Sequence, residues 1–207
     1  MSSATAISSN EWLDLTGVFS RKPHDKLYRV STPKSLFKEA DGMLPRRDIV
    51  LQPIGLVRTS ASKDDVRLRS KESEAIIEIR PEFQEALEGL EGFSHIFVIS
   101  YFDQLRPEQI GPLRVKPRRL LLKGFSLEEL PMVGVFAIDS PTRPNPIGLS
   151  LVRLVKIDGK KLIVRGLDCF DGTPVLDIKP YRPDYRAEDY ELAHWYRTLR
   201  LRVGDDI

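Results

Sequence analysis

Two stretches of this chain concentrate side chains that can do chemistry. Residues 166–181, GLDCFDGTPVLDIKPY, bring Asp168, Asp171, Asp177, Lys179 and Tyr181 into sixteen positions. Carboxylates beside an amine and a phenol are the usual parts for moving a proton and for holding a charged substrate. Asp177 and Lys179 are two apart, so in an extended chain they share a face, either as working groups or as an ordinary ion pair. Asp171-Gly172-Thr173-Pro174 reads as a turn, which the Asp171 side chain can stabilise locally. The second stretch is GVFAIDSPTRPNPIGLS, residues 134–150, where Pro144 and Pro146 flank Asn145 and follow Arg143. Proline fixes φ, so this loop is stiff and holds its polar groups in a set geometry. Such a loop forms the wall of a ligand site, or is a rigid turn whose arginine and asparagine bond backbone carbonyls.

The remaining candidates are weaker. His24, His95 and His194 lack metal-ligand spacing, and no metal is expected. His95, entering an apolar run, reads as a hydrogen-bonded core residue rather than a reactive one. Cys169, the single cysteine, excludes an intrachain disulfide and a cysteine zinc site and reads as a small buried hydrophobe. Residues 106–125 carry six Lys/Arg against one Glu; Arg118 and Arg119 in RVKPRR could meet phosphates, or keep a strand edge solvated.

The elements that must position these residues are mostly strands. IVLQPIGLVRT (49–59) reads as a strand with a bulge or close approach at Gly55. AIIEIRP (75–81) is a strand stopped by proline. Phe83, Leu87 and Leu90 are spaced for a short amphipathic helix. HIFVISYF (95–102) is apolar enough for a strand buried on both faces. RLLLKGF, MVGVFAI, LVRLVKI and KLIVRGL are further strand candidates, the last two joined in a hairpin by Asp158-Gly159. Residues 188–202 read as a C-terminal helix, with Leu192, Tyr196 and Leu199 on one face. No regular β-α alternation occurs, and no GxGxxG or GxxxxGK[ST]. The pattern predicts a mainly β, barrel-like domain over 49–182. Before it lies a partly ordered extension, 1–48, with a short helix around 33–40; after it comes a helical tail, 183–207.

Composition narrows the classes. Of 207 residues, 32 are Lys or Arg and 30 Asp or Glu, a net +2 that excludes a histone-like basic coat. A hydrophobic share of 41% supports a buried core. The polar start, MSSATAISSNEWLDL, lacks the apolar stretch of a signal peptide, and no run approaches a membrane span, so a cytoplasmic protein is expected.

The two chemical segments resemble the TsaA/TrmO-like family. Its hallmark blocks appear in order as Pro53-Ile54-Gly55-Leu56-Val57, LEGLEGFSH (87–95), GVFAIDSPTRPNPIGLS and LDCFDGTPVLDIKPY. The resemblance covers about residues 49–182. It implies a compact TsaA-type β fold that binds S-adenosyl-L-methionine (SAM) and forms a homodimer. It also implies methylation of N6 of N6-threonylcarbamoyladenosine, next to the tRNA anticodon. Position by position, it implies cofactor contacts from Asp103, Gln104, Asp139, Leu149, Arg165, Gly166, Leu167 and Asp168. The reaction pocket would hold Asp171, Asp177, Lys179 and Tyr181, with Arg143 and Asn145, joined by Arg118 and Arg119, toward the substrate. The chain departs from the family pattern at Asp103, where a histidine is usual, and at Asp139, where an arginine is usual. TSASKDDVR (59–67) also replaces a VPRQ-like loop. These changes keep open an alternative, a SAM-dependent methyltransferase of the same fold with a small-molecule or other acceptor.

Overall fold

A computed structural model describes residues 28–30, 49–69 and 72–203. The predicted helix near 33–40 and most of the expected 1–48 extension lie outside these residues. Strand β1 (Tyr28–Val30) pairs antiparallel with β2 (Ile49–Leu51) as a separate ribbon. Pro53 lacks the amide a ladder needs, so the predicted 49–59 strand divides, and β3 restarts at Gly55–Arg58. The close approach expected at Gly55 is real, since a Cβ there would lie 2.6 Å from the Glu78 carbonyl oxygen.

Six antiparallel strands close a barrel. They are β3, β4 (Glu74–Ile79), β5 (His95–Tyr101), β8 (Ile147–Asp158), β9 (Lys161–Arg165) and β10 (Pro174–Pro180), in the spatial order β10-β3-β4-β9-β8-β5. Closure removes free sheet edges. The two-residue strands β6 (Arg114–Val115) and β7 (Val133–Gly134) pair outside the barrel. Alternation selects the core: Val57, Ile77, Ile96, Val98, Leu162, Val164 and Val175 are fully buried. Each such side chain contributes roughly 1.5–3 kcal/mol on leaving water. The β8–β9 hairpin turns at Asp158-Gly159 as predicted, with Asp158 opposite Lys161.

The structure corrects several expectations. β5 is buried on one face only: Ile96, Val98 and Ser100 point inward at 0% exposure, while His95, Phe97, Ile99 and Tyr101 lie half-buried outside. RLLLKGF is not a strand but a 3-10 helix, Arg118–Lys123, closed by Gly124 at φ 86°. MVGVFAI gives β7 and a 3-10 turn, Val135–Ala137. The amphipathic segment after Arg80 is a 3-10 helix, Pro81–Leu87, started by its proline. Residues 63–69 form helix α1, Lys63–Arg69, capped by Ser62, whose hydroxyl accepts from the Asp65 amide. Helix α2 is shorter than expected, His194–Val203.

A second core stands apart from the barrel. Leu120, Phe125 and Leu130 of the 106–132 segment bury against Leu199 of α2, with Trp195 and Val203 alongside. Arg202 lies 4.4 Å over the Phe125 ring and pairs with Glu129. α2 therefore belongs to this insert through its apolar face.

Candidate functional site

The DGTPVLDIKPY segment forms β10 and the turn before it, and a bulge decides what it displays. Val175 pairs with Ser100, yet Asp177, not Leu176, pairs with Ile99. Leu176 is thus the extra residue. In an unbulged ladder Asp177 would face inward opposite Val98 and Lys179 opposite Ile96. With the bulge, Ile178 and Pro180 take the inward register, and Asp177, Lys179 and Tyr181 emerge on the outer face. Sequence reasoning found the shared face of Asp177 and Lys179 but not the bulge that orients it.

On that face Lys179 Nζ lies 2.8 Å from Asp177 Oδ2. The Ile178 amide donates to Asp177 Oδ1 at 2.9 Å. Hydrogen bonding and the charge of Asp177 raise the pKa of Lys179, so its ammonium is held charged. The Tyr181 amide donates to the His95 carbonyl. The Tyr181 ring stands 6.4 Å from His95 and 5.7 Å from Phe97. His95 is therefore no core histidine: it sits half-buried on this outer face, its Nδ1 2.9 Å from the Ser94 hydroxyl. Beside β5 runs the outer row of β8, where Ile147, Leu149 and Leu151 are 37%, 68% and 48% exposed.

A second group of predicted residues gathers at one end of the barrel. Asp171 Oδ1 accepts from the Thr59 amide at 3.1 Å, and the Asp171 carbonyl accepts from Gln104 Nε2 at 3.0 Å. The Asp171 turn thus ties β3 to the segment after β5. Ser150 donates to Asp168 Oδ1 at 2.6 Å. Gly166 turns the chain at φ 94°, which lets Leu167 and Cys169 plug the barrel at 2% exposure while Asp168 stays exposed. Burial pushes the Cys169 thiol up to about 12, and it donates weakly to Ser100. Gly148 approaches so closely that a Cβ would meet Phe102 and Ser100 at 2.5 Å. Tyr101 has its phenol pKa raised by burial and further by the charge of Asp103.

Other predicted residues take structural partners. Arg143 Nη1 donates to the Val135 and Ile138 carbonyls, at 3.3 and 2.6 Å, and its guanidinium lies 5.6 Å over Phe136. This is the loop-bracing arrangement, and Phe136 is left 76% exposed. Asn145 and Asp139 are exposed on the same loop. Arg165 pairs with Glu74 across β4 and β9 at 2.6 Å. Arg118 and Arg119 open the 3-10 helix of the insert, both exposed. Sequence reasoning missed Phe97 and Tyr185, which join Tyr181 in one aromatic cluster; only the outward register of β5 and β10 brings them together.

At the opposite end of β8, a cleft of about 560 Å³ lies between the Pro81–Leu87 helix and the hairpin tip, lined by Gln84, Glu85, Glu88 and Glu91. It contains none of the predicted site residues. Among the described residues, no group of three His, Cys, Asp or Glu is placed to hold a metal, and no helix is long and apolar enough to cross a membrane.

Comparison with known proteins agrees with this architecture. Residues 65–187 match the family model of the tRNA-methyltransferase O N-terminal domain. A probable SAM-binding protein of Methanothermobacter thermautotrophicus is 44% identical over 142 residues, 66% of this chain and 93% of that protein. A probable SAM-binding protein of Pyrococcus abyssi is 39% identical over 151 residues, 71% of this chain and 76% of that one. The mouse tRNA (adenine(37)-N6)-methyltransferase is 39% identical over 59% of this chain but only 27% of its own length. The crystal structure of TrmO from Pseudomonas aeruginosa superposes with a TM-score of 0.51 at 36% identity, covering 68% of this chain and 60% of that one. The chain thus spans about three fifths of the solved relative. The matched region runs from within α1 through β4, β5, β8, β9 and β10 to the turn after β10, more than half of the chain, and on that ground this chain belongs to the tRNA-methyltransferase O family.

Proposed function

We propose that this chain is a SAM-dependent methyltransferase whose acceptor is N6 of N6-threonylcarbamoyladenosine beside the tRNA anticodon. The observation that carries the site is the Leu176 bulge, which turns Asp177, Lys179 and Tyr181 onto one outer face. The donor set suits SAM. Exposed Leu149 and Phe136 offer apolar surface for a purine, and the carboxylates of Asp103, Asp139 and Asp168 suit a cationic sulfonium and an ammonium. When bound, SAM supplies an activated methyl group. The protein's part is alignment, exclusion of water and handling of one proton. Asp177 would accept the N6 proton, and Lys179, already held as a cation, would receive an anionic group of the acceptor. Arg143 acts by bracing the loop that carries Asn145, the side chain left open to the acceptor.

Ile147 and Leu151, exposed on the outer row of β8, mark the face on which a second copy would close a homodimer, since apolar surface gathered on one strand face is uncommon on a lone chain. Such an enzyme would work in the cytoplasm, on tRNA. The second acceptor class, a small molecule, draws its support from Asp103 and Asp139, exposed carboxylates where the family resemblance implies histidine and arginine.

Methyl transfer from labelled SAM into total RNA and into a metabolite extract, both from a strain lacking the gene, decides between them. Label in RNA that digests to the N6-methylated threonylcarbamoyl nucleoside supports the tRNA reading. Label confined to the metabolite pool moves the assignment to the second class.

A further inference from the structure

We infer that Tyr185, with Tyr181 and Phe97, forms a stacking site for a purine ring beside the Asp177–Lys179 pair. The inference rests on the methyltransferase reading for the source of that purine, and on geometry for the site itself. The three rings stand at the corners of a nearly equilateral triangle, with centroids 5.7 Å apart for Phe97–Tyr181, 5.2 Å for Phe97–Tyr185 and 6.3 Å for Tyr181–Tyr185. Phe97 meets both tyrosines steeply, at 61° and 81°, while the two tyrosines lie only 31° from parallel. Phe97 is held by the β5 ladder opposite Lys179, so it braces the other two.

Tyr185 is not needed to seal the core. It sits in a three-residue 3-10 turn, Pro183–Tyr185, and remains 48% exposed. The Arg182 guanidinium lies 5.4 Å over its ring, tethered to Asp184 at 2.8 Å. A tyrosine face and a guanidinium plane are the two surfaces on which unpaired bases stack most readily. A purine laid on the exposed Tyr185 ring would stand beside Tyr181, whose ring centroid is 6.3 Å away. Lys179 stands on the same strand face, placed for a carboxylate or phosphate carried by the same ligand.

A purine reaches this site from one of two sources, the adenine of SAM or an unpaired base of the RNA acceptor. The test measures, by calorimetry, binding of SAM and of a hairpin RNA with an unpaired purine loop to wild type, Tyr185→Ala and Tyr185→Trp. The inference expects Tyr185→Ala to weaken one of the two ligands at least tenfold and Tyr185→Trp to restore it to within about threefold. Loss confined to the hairpin assigns the site to the acceptor base; loss confined to SAM assigns it to the cofactor. Equal affinity of Tyr185→Ala for both ligands, within twofold and with an unchanged melting curve, overturns the inference. Wild-type protein that binds SAM but no hairpin overturns the tRNA reading and leaves the SAM arm to decide this one. Binding of neither overturns both. Loss that tryptophan fails to restore also overturns it, because a merely structural contact would behave that way.

Discussion

At the residue scale, the predicted carboxylates divide into two kinds. Asp171 spends its carboxylate on the Thr59 amide and its carbonyl on Gln104. Asp171→Ala is expected to cost about 1 kcal/mol, read as a lowered melting temperature, and Asp171→Asn, whose amide oxygen still accepts, much less. Asp177 instead points out beside a cation. Asp177→Asn should lower turnover at least about 100-fold with SAM affinity unchanged. If Asp177→Asn turns over like wild type, the base assignment is wrong. Cys169 gives a pH signature. Its thiol is raised from 9.0 to about 12 by burial, so the fold favours the neutral form. That contribution is complete below pH 9 and is lost as pH climbs from 9 toward 12, where only the unfolded chain ionises readily. Melting temperatures should therefore fall above pH 9 more steeply in wild type than in Cys169→Ala, and a thiol reagent should label the native protein only on unfolding.

At the element scale, what the sequence made legible followed from period and punctuation. The β8–β9 hairpin, with Asp158-Gly159 at its tip, and β4, stopped by Pro81, announce themselves by alternation and turn residues. The insert did not, because Leu120-Leu121-Leu122 reads apolar in either conformation. The choice of a 3-10 helix comes from packing Leu120 into the second core and leaving Leu121 and Leu122 at 39% and 53% exposure. The bulge at Leu176 was equally hidden: no local residue demands it, and it exists because Ile178 and not Asp177 must meet the core. The motif blocks located the site segments, while the facing of Tyr181 toward Phe97 depended on a register that pairs strands about eighty residues apart. Gly55 tests the barrel wall. Gly55→Ala drives a methyl to 2.6 Å from the Glu78 carbonyl, which is backbone and cannot swing away. The expected loss is about 1–3 kcal/mol, read by denaturant unfolding, with the midpoint lowered.

At the scale of the whole molecule, the described residues form two cores. The barrel core and the Leu120–Phe125–Leu130–Leu199 cluster have no residue in common. Local opening of the smaller one is therefore expected to leave the barrel closed. Leu199→Ala should speed hydrogen exchange at the Gly124 and Phe125 amides, while the Ile96–Ser100 amides keep their wild-type protection. Equal loss of protection in both regions would show a single cooperative unit instead.

The barrel also has a seam. The β3–β10 ladder holds two residue pairs, Leu56 with Pro174 and Val175 with Gly55, extended by backbone bonds from Ile54 to Val175 and from Val57 to Thr173, where β5 and β8 share seven pairs. More than a hundred residues separate the two sides of that seam along the chain. On the ribosome β3 emerges first and waits for its partner about 6–24 s at roughly 5–20 residues per second. Throughout that interval its open edge is a template for any passing strand. The nascent chain is thus most exposed to misassociation before β10 appears, and its yield in the cell should depend more on translation speed and chaperone supply than on the stability of the finished barrel.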